Sequence, residues 1–224
     1  EIIFVDDGST DTSFQVIKEL SEEYDNVIGI SFSHNYGKSD ALQTGFERAS
    51  GEFVVTMDAD LQDDPNEVPE MIEMLKNGLD LVSGWKKERF DPISKTIPSK
   101  FFNFVTRKAA GIHLNDFNCG LKAYRSEVVK NIYVYGELHR YIPMLAKKEG
   151  FGRIGEKVVK HHPRKYGKTK FGLSRFINGF LDLITILFVQ RYFQKPMHFF
   201  GTFGILLLMV GTGINLYMAV LRLF

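Results

Sequence analysis

The sequence predicts an α/β fold on a mostly parallel sheet, followed by a membrane-crossing helix at the C-terminal end. Three observations lead there. Short apolar runs alternate with stretches whose apolar residues recur at helical spacing. Aspartates gather just beyond two of those runs, where open α/β sheets bind their ligands. Residues 196–221 contain no Asp, Glu, Lys or Arg. The core of that stretch, FFGTFGILLLMVGTGINLYMAVL, reaches roughly 35 Å at about 1.5 Å per residue, enough to cross a bilayer core.

Composition narrows the function. The 224 residues are 44% hydrophobic and 25% charged, ordinary globular values that exclude disorder as the main state. A formal net charge of +1 provides no field for nucleic acid, so no such partner is expected. A single cysteine, Cys119, excludes an internal disulfide framework and a cysteine-based zinc site.

The elements follow in order. Ile2 to Val5 reads as a buried strand that ends in Asp6-Asp7-Gly8-Ser9-Thr10-Asp11, a turn in which Ser9 or Thr10 can cap a helix. Phe14, Val16, Ile17 and Leu20 then recur at helical spacing. Val27 to Phe32 is a second strand, Asn35 to Lys38 a loop and Ala41 to Ala49 a helix. Phe53 to Met57 is a third strand, running into Asp58-Ala59-Asp60. Pro65 to Lys76 is helical, with Val68, Met71, Ile72 and Leu75 on one face and Asp63 or Asp64 as its cap. Leu79 to Ser83 is a further strand. Asp6, Asp7, Asp58 and Asp60 are therefore expected along one edge of the sheet.

Basic residues follow, between Lys86 and Lys108, at Lys122 and Arg125, and from Lys157 to Lys170. Residues 171–195 mix apolar and aromatic side chains with few charges and read as an interfacial amphipathic helix leading into the span. The expected organisation is a catalytic domain over 1–170, a juxtamembrane helix over 171–195 and a transmembrane helix over 196–222. The chain opens directly on a strand, so a preceding element is expected, and further spans after Phe224 are left open.

Two carboxylates two residues apart at a strand end suit a hard cation, Mg²⁺ or Mn²⁺, above all where a diphosphate completes its shell. Taken alone, Asp58-x-Asp60 is a weak signal and reads first as a solvated turn. Asp6 or Asp7 could accept hydrogen bonds from a nucleobase or ribose. The glycine-rich phosphate loops GxGxxG and GxxxxGKS/T are absent.

The combination is more specific. VDDGSTD at 5–11, FSHNYGKSDALQTGF at 32–46, MDADLQDDP at 57–65 and CGLKAYRSEV at 119–128 occur in this order. Together they closely resemble the family 2 inverting glycosyltransferases with a glycosyltransferase A fold. HPRKYGKTKFG at 162–172, followed by the amphipathic and membrane segments, is similar to the branch that glycosylates polyprenyl phosphates. Dolichol-phosphate mannosyltransferases and bactoprenol glucosyltransferases belong to that branch.

The resemblance implies a site. Asp6, Asp7 and Lys38 match positions at the nucleoside of a nucleotide-sugar donor. Asp58 and Asp60 match the metal and diphosphate motif, and Gln62 the glutamine that often joins it. Arg164 and Lys168 match a loop over the donor diphosphate. Lys122 stands where relatives carry Arg toward the acceptor phosphate, with Ser126 as a further donor and Arg107 or Lys108 as a looser match. Lysine attracts phosphate as a point charge, without the bidentate fork of arginine. A polyprenyl phosphate is already a nucleophile, so no strong base is required; Asp116 is the candidate if one acts. The histidines are read as loop or surface residues. The family's opening strand, with Pro-x-Tyr-Asn-Glu, is absent here.

These features imply an inverting, metal-dependent transfer of a hexose from a donor such as UDP-glucose or GDP-mannose to undecaprenyl or dolichyl phosphate. The catalytic head of the integral membrane protein is expected on the cytoplasmic side, where basic residues concentrate. A polysaccharide or other cell-envelope glycan glycosyltransferase is the second reading, weakened because Gln190-Arg191-Tyr192 does not fit Gln-x-x-Arg-Trp. A non-catalytic nucleotide-sugar-binding module is the third, and the presence of both Asp58 and Asp60 counts against it. A homo-oligomer is left open.

Overall fold

The computed structural model describes residues 1–87, 103, 106, 107, 111–163, 181, 188 and 196–223. The chain divides into two compact units, Glu1–Asp182 and Leu183–Phe224.

The first unit is α/β. Strands β1 (Ile2–Asp6) and β2 (Val27–Ser31) pair in parallel, with helix α1 (Ser13–Glu23) between them in the chain. Helix α2 (Lys38–Arg48) leads to β3 (Phe53–Thr56). Helix α3 (Val68–Lys76) precedes β4 (Leu81–Trp85), and β5 (Lys122–Arg125) runs into the short helix α4 (Ser126–Asn131). Helix α5 (Ile142–Lys148) and β6 (Ile154–Val158) follow.

A second sheet has the order β3-β5-β4-β6. β5 runs antiparallel to both neighbours, while β4 and β6 are parallel. Strand direction is therefore shared by β3, β4 and β6, and β5 alone opposes it. That reversal has a consequence for the site: β5 begins where β3 ends, with Lys122 opposite Thr56.

The core of this sheet lies under α3. Met71, Leu75, Val82, Cys119, Leu121, Ala123 and Val159 are buried together, with Val68 and Ile72 packed against them. These include the four residues expected on one face of α3. Phe46 and Tyr124 meet edge to face at 5.5 Å, which brings α2 against β5.

Several boundaries differ from the sequence expectation, each for a local reason. Helix α2 starts at Lys38 rather than Ala41, because the Asp7 carboxylate accepts the N–H groups of Tyr36 (2.7 Å) and Gly37 (3.0 Å) just ahead of it. At α1, Asp11 rather than Ser9 or Thr10 accepts the Ser13 N–H, at 2.9 Å. Residues Pro65–Glu67 form a 3₁₀ turn capped by Asp64. Pro69 has no N–H to return to the Pro65 carbonyl, so the α pattern begins only at Val68. Strand β4 is displaced by two residues to Leu81–Trp85, where it matches β6 as far as Val158.

The second unit contains helix α6 (Pro196–Leu223). Met197–Arg222 within it has a mean hydropathy of 2.0 and is long and apolar enough to cross a membrane. Its side chains are exposed, Leu207 at 71% and Leu208 at 70%, unlike those of a soluble core helix. The amphipathic helix expected over 171–195 lies outside the described residues apart from Leu181 and Phe188.

Candidate active site

The site begins where β3 ends. Thr56 Oγ1 donates to the Gly120 carbonyl at 2.9 Å, tying the strand end to the loop before β5. Two residues on, the Asp58 carboxylate lies directly over Gly120: a Cβ there would meet Asp58 Oδ2 at 2.5 Å. Only glycine leaves room for that approach. Lys38, in the first turn of α2, reaches Asp58 Oδ1 at 2.5 Å.

Two further ammonium groups act on Asp58. Burial alone would raise its carboxyl, but Lys38, then Lys86 and Lys122, outweigh it and hold the group below the usual carboxylate range. Lys86 follows β4 directly and pairs with buried Asp63 at 2.8 Å. Burial alone would lower its ammonium; the negative groups around it, Asp63 and Asp58 among them, raise it instead. Lys122, at the start of β5, is 3% exposed and donates to the Cys119 carbonyl. Burial pulls its ammonium below the usual range, with Lys38 adding to the effect and Asp116 and Asp58 opposing it. Lys38 thus pairs with Asp58 directly, while the charges of Lys86, just after β4, and Lys122, at the start of β5, lie close enough to act on it. Burial pushes the neighbouring Cys119 thiol up to about 11, so it is a packed thiol rather than a nucleophile.

Asp60 is shaped by its own loop. Leu61 has φ 60, a left-handed backbone that few non-glycine residues adopt. That turn lets the Gln62 N–H donate to Asp60 Oδ1 at 3.2 Å. Asp58 and Asp60 supply hard oxygen donors, and Asp58 is held ionised. Among the described residues no group of three or more His, Cys, Asp or Glu side chains could hold a metal by itself. A divalent cation held by these two carboxylates would need its remaining ligands from a bound molecule or water.

A family profile described as Glycosyl transferase family 2 matches residues 1–133. The chain belongs to glycosyl transferase family 2. Within that family it is 40% identical over 209 residues to a dodecaprenyl-phosphate galacturonate synthase of Rhizobium johnstonii, covering 92% of this chain and 62% of that enzyme. It is 37% identical over 187 residues to an undecaprenyl-phosphate 4-deoxy-4-formamido-L-arabinose transferase of Shewanella sediminis, covering 83% of this chain and 56% of the relative. The chain thus spans under two thirds of the length of these two relatives. Among solved structures, glucosyl-3-phosphoglycerate synthase of Mycobacterium tuberculosis, in complex with Mn²⁺, UDP-glucose and glycerol 3-phosphate, superimposes with a TM-score of 0.58 at 21% identity. That match covers 84% of this chain and 68% of the other, and it shows the shared fold.

The other residues singled out in this family 2 chain are distributed unevenly. Asp6 is buried; its carboxylate accepts the Ser31 hydroxyl at 3.0 Å and so joins the ends of β1 and β2. Asp7, on the same edge, holds the start of α2. Asp116 is buried, accepts the Asn118 N–H at 3.0 Å and lies close enough to Lys122 to act on its charge.

Two expected acceptor residues are placed elsewhere. Ser126 follows the far end of β5, and its N–H donates to the Glu52 carbonyl before β3, so the strand separates it from Lys122. The extended backbone of β5, rising about 3.3 Å per residue, is the reason. Arg107 is spent on the loop carrying Asp116: Nε donates to the Leu114 carbonyl at 3.0 Å and Nη2 to Asn115 Oδ1 at 3.1 Å. Lys108, Arg164 and Lys168 lie outside the described residues.

Gln62 is beside Asp60 as expected, but its amide nitrogen is turned to His161 Nε2 and the His162 carbonyl, both at 3.3 Å. His161 is therefore no simple loop residue. From the sequence, Lys86 is one of a basic block that could supply phosphate contacts, and His161 reads as a surface or loop residue; neither stands out by itself. The one available signal for Lys86 was its place directly after a strand, as with Asp58.

Proposed function

We propose that the chain is a membrane-bound, inverting glycosyltransferase that moves a sugar from a nucleotide-diphosphate donor to a polyprenyl phosphate. The observation that carries this reading is the Lys38–Asp58 pair at the end of β3, with the charges of Lys86 and Lys122 near enough to act on the same carboxylate. Such a cluster suits a reaction between two phosphate-bearing partners. The relatives' names, which join a polyprenyl phosphate to a galacturonate or a formamido-arabinose, support the acceptor class. Because those names cover a uronic acid and a substituted pentose, the donor is proposed as a nucleotide-diphosphate sugar rather than specifically a hexose such as glucose or mannose.

The chemistry is a displacement at the anomeric carbon. A lipid phosphate oxygen forms the new bond, the bond to the diphosphate oxygen breaks, and the configuration inverts. The nucleophile arrives ionised, so the residues need only align the partners and neutralise charge. Lys122 and Lys86 are proposed to receive the acceptor phosphate and Lys38 the diphosphate side. Asp116 orients Lys122 or the acceptor. Asp58 and Asp60 would hold Mg²⁺ or Mn²⁺, which when bound offsets charge on the departing diphosphate.

Helix α6 gives the acceptor's lipid tail a reason to be near. A protein held at the bilayer can meet a phosphate that never leaves the headgroup layer. The catalytic unit is proposed to face the cytoplasm, where nucleotide sugars are made. The polyprenyl reading is preferred to a polysaccharide synthase on the relatives' names and the missing Gln-x-x-Arg-Trp.

The test is substitution. In nanodiscs carrying undecaprenyl phosphate, Asp60→Asn and Asp58→Asn should each reduce metal-dependent transfer by at least about 100-fold, a loss of roughly 2.7 kcal/mol of transition-state stabilisation. Activity retained in both would contradict the assignment.

A further inference from the structure

The segment after β6 is laced along the segment after Asp60. An antiparallel bridge joins Asp63 to His161, and the His162 N–H donates to the Gln62 carbonyl at 2.8 Å. Glu67 pairs with the buried Lys157 ammonium and accepts the Lys160 N–H at 3.2 Å. On the other side, the Val159 N–H donates to the Trp85 carbonyl at 3.1 Å, continuing the ladder between β4 and β6. Residues 157–162 are thus fixed by both β4 and the loop that bears Asp60.

His161 sits at the junction, with its side chain 9% exposed. Its Nε2 lies 3.3 Å from Gln62 Nε2. An amide nitrogen donates, so the ring nitrogen accepts and the neutral ring carries its hydrogen on Nδ1. That Nδ1 faces Asp63 Oδ1 at 3.9 Å, the same oxygen that holds Lys86 at 2.8 Å. From Gln62 the backbone N–H reaches Asp60 Oδ1. One imidazole therefore accepts from the residue that orients Asp60 and lies within 3.9 Å of the carboxylate that anchors Lys86.

We propose that His161 is a positioning residue for the metal and diphosphate site: by holding the Gln62 amide beside Asp63, it sets the Asp60 carboxylate and the Lys86 ammonium in register. The inference rests on the function proposed above. The left-handed backbone of Leu61 agrees with it, since such a conformation persists only where the surroundings impose it. Without the His161 ring, the Gln62 amide loses one partner and keeps the His162 carbonyl, so the turn is held less firmly and Asp60 shifts from its orientation. Groups behind a metal ligand commonly change metal affinity by tenfold or more when removed.

Metal binding can be read without turnover. Free Mn²⁺ is titrated by electron paramagnetic resonance against the full chain in detergent, with UDP and in parallel with GDP. The wild type is expected to bind Mn²⁺ with one of the nucleotides, and Asp60→Asn to lose that binding. His161→Ala should weaken it about tenfold, and His161→Gln, whose side-chain oxygen can accept from Gln62, should recover most of the loss. Thermal melts of both variants accompany the titration. Unchanged Mn²⁺ affinity in His161→Ala, with Asp60→Asn inactive toward the metal, overturns the positioning role and leaves the proposed function standing. A loss that His161→Gln does not restore overturns it as well. Mn²⁺ bound equally by wild type and Asp60→Asn, or by neither, removes the metal reading and this inference together.

Discussion

The Asp58 carboxylate rests on the bare α-carbon of Gly120, with Oδ2 2.5 Å from where a Cβ would stand. This contact joins the end of β3 to the start of β5, and it explains why glycine precedes Leu121-Lys122. Gly120→Ala should push the carboxylate from its place between Lys38 and Lys122. The expected result is a stability loss of about 1–3 kcal/mol from overpacking and a fall in turnover of roughly 100-fold from misplacement. Thermal melts and initial rates on the same preparation separate the two effects.

Lys122 is a buried cation whose folding contribution and functional contribution should have opposite signs. Lys122→Met keeps the volume and removes a charge that burial disfavours, so the melting temperature should hold or rise. Acceptor use should suffer: losing one charge-assisted contact of about 1.5–3 kcal/mol raises the lipid-phosphate KM roughly 10- to 100-fold. An unchanged acceptor KM would remove Lys122 from the site.

How much of this was legible beforehand depends on sequence separation. The Asp58-Ala59-Asp60 turn, the apolar face of α3 and a cap at Asp63 or Asp64 follow from neighbours in the chain, and all were readable. So was the apolar stretch of α6. The approach of Lys86 and His161 to the same Asp63 carboxylate was not, because it depends on β6 pairing with β4, which sets Trp85 opposite Val158. Ser126 was misplaced for the same kind of reason. The motif puts it four residues from Lys122, but those residues are an extended strand that carries it to the other end of β5. Asp6 matched a ligand-binding position in sequence, yet its carboxylate is engaged by Ser31.

Asp80 links β4 to the start of β6 and should give stability a defined acid limit. Burial alone would raise its carboxyl, but hydrogen bonds from the Arg153 side chain (2.6 Å) and backbone N–H (3.0 Å) hold it below the usual range. A carboxyl depressed in the folded state contributes stability above its unfolded pKa. That contribution is lost as pH falls through the folded value. Asp80→Asn should therefore lower the melting temperature at pH 7, and the gap to wild type should close below about pH 4. A gap independent of pH would mean that the ion pair contributes nothing.

The central claim is sugar transfer to a lipid phosphate, and it can be measured directly. The full-length protein is placed in nanodiscs with undecaprenyl or dolichyl phosphate, Mg²⁺ or Mn²⁺, and radiolabelled nucleotide sugars offered one at a time, uronic acid and pentose donors included. The account expects label from one donor to move into the organic phase, and only with metal present. Label that stays in the aqueous phase or enters a water-soluble glycan, with nucleotide sugar still bound, would contradict it.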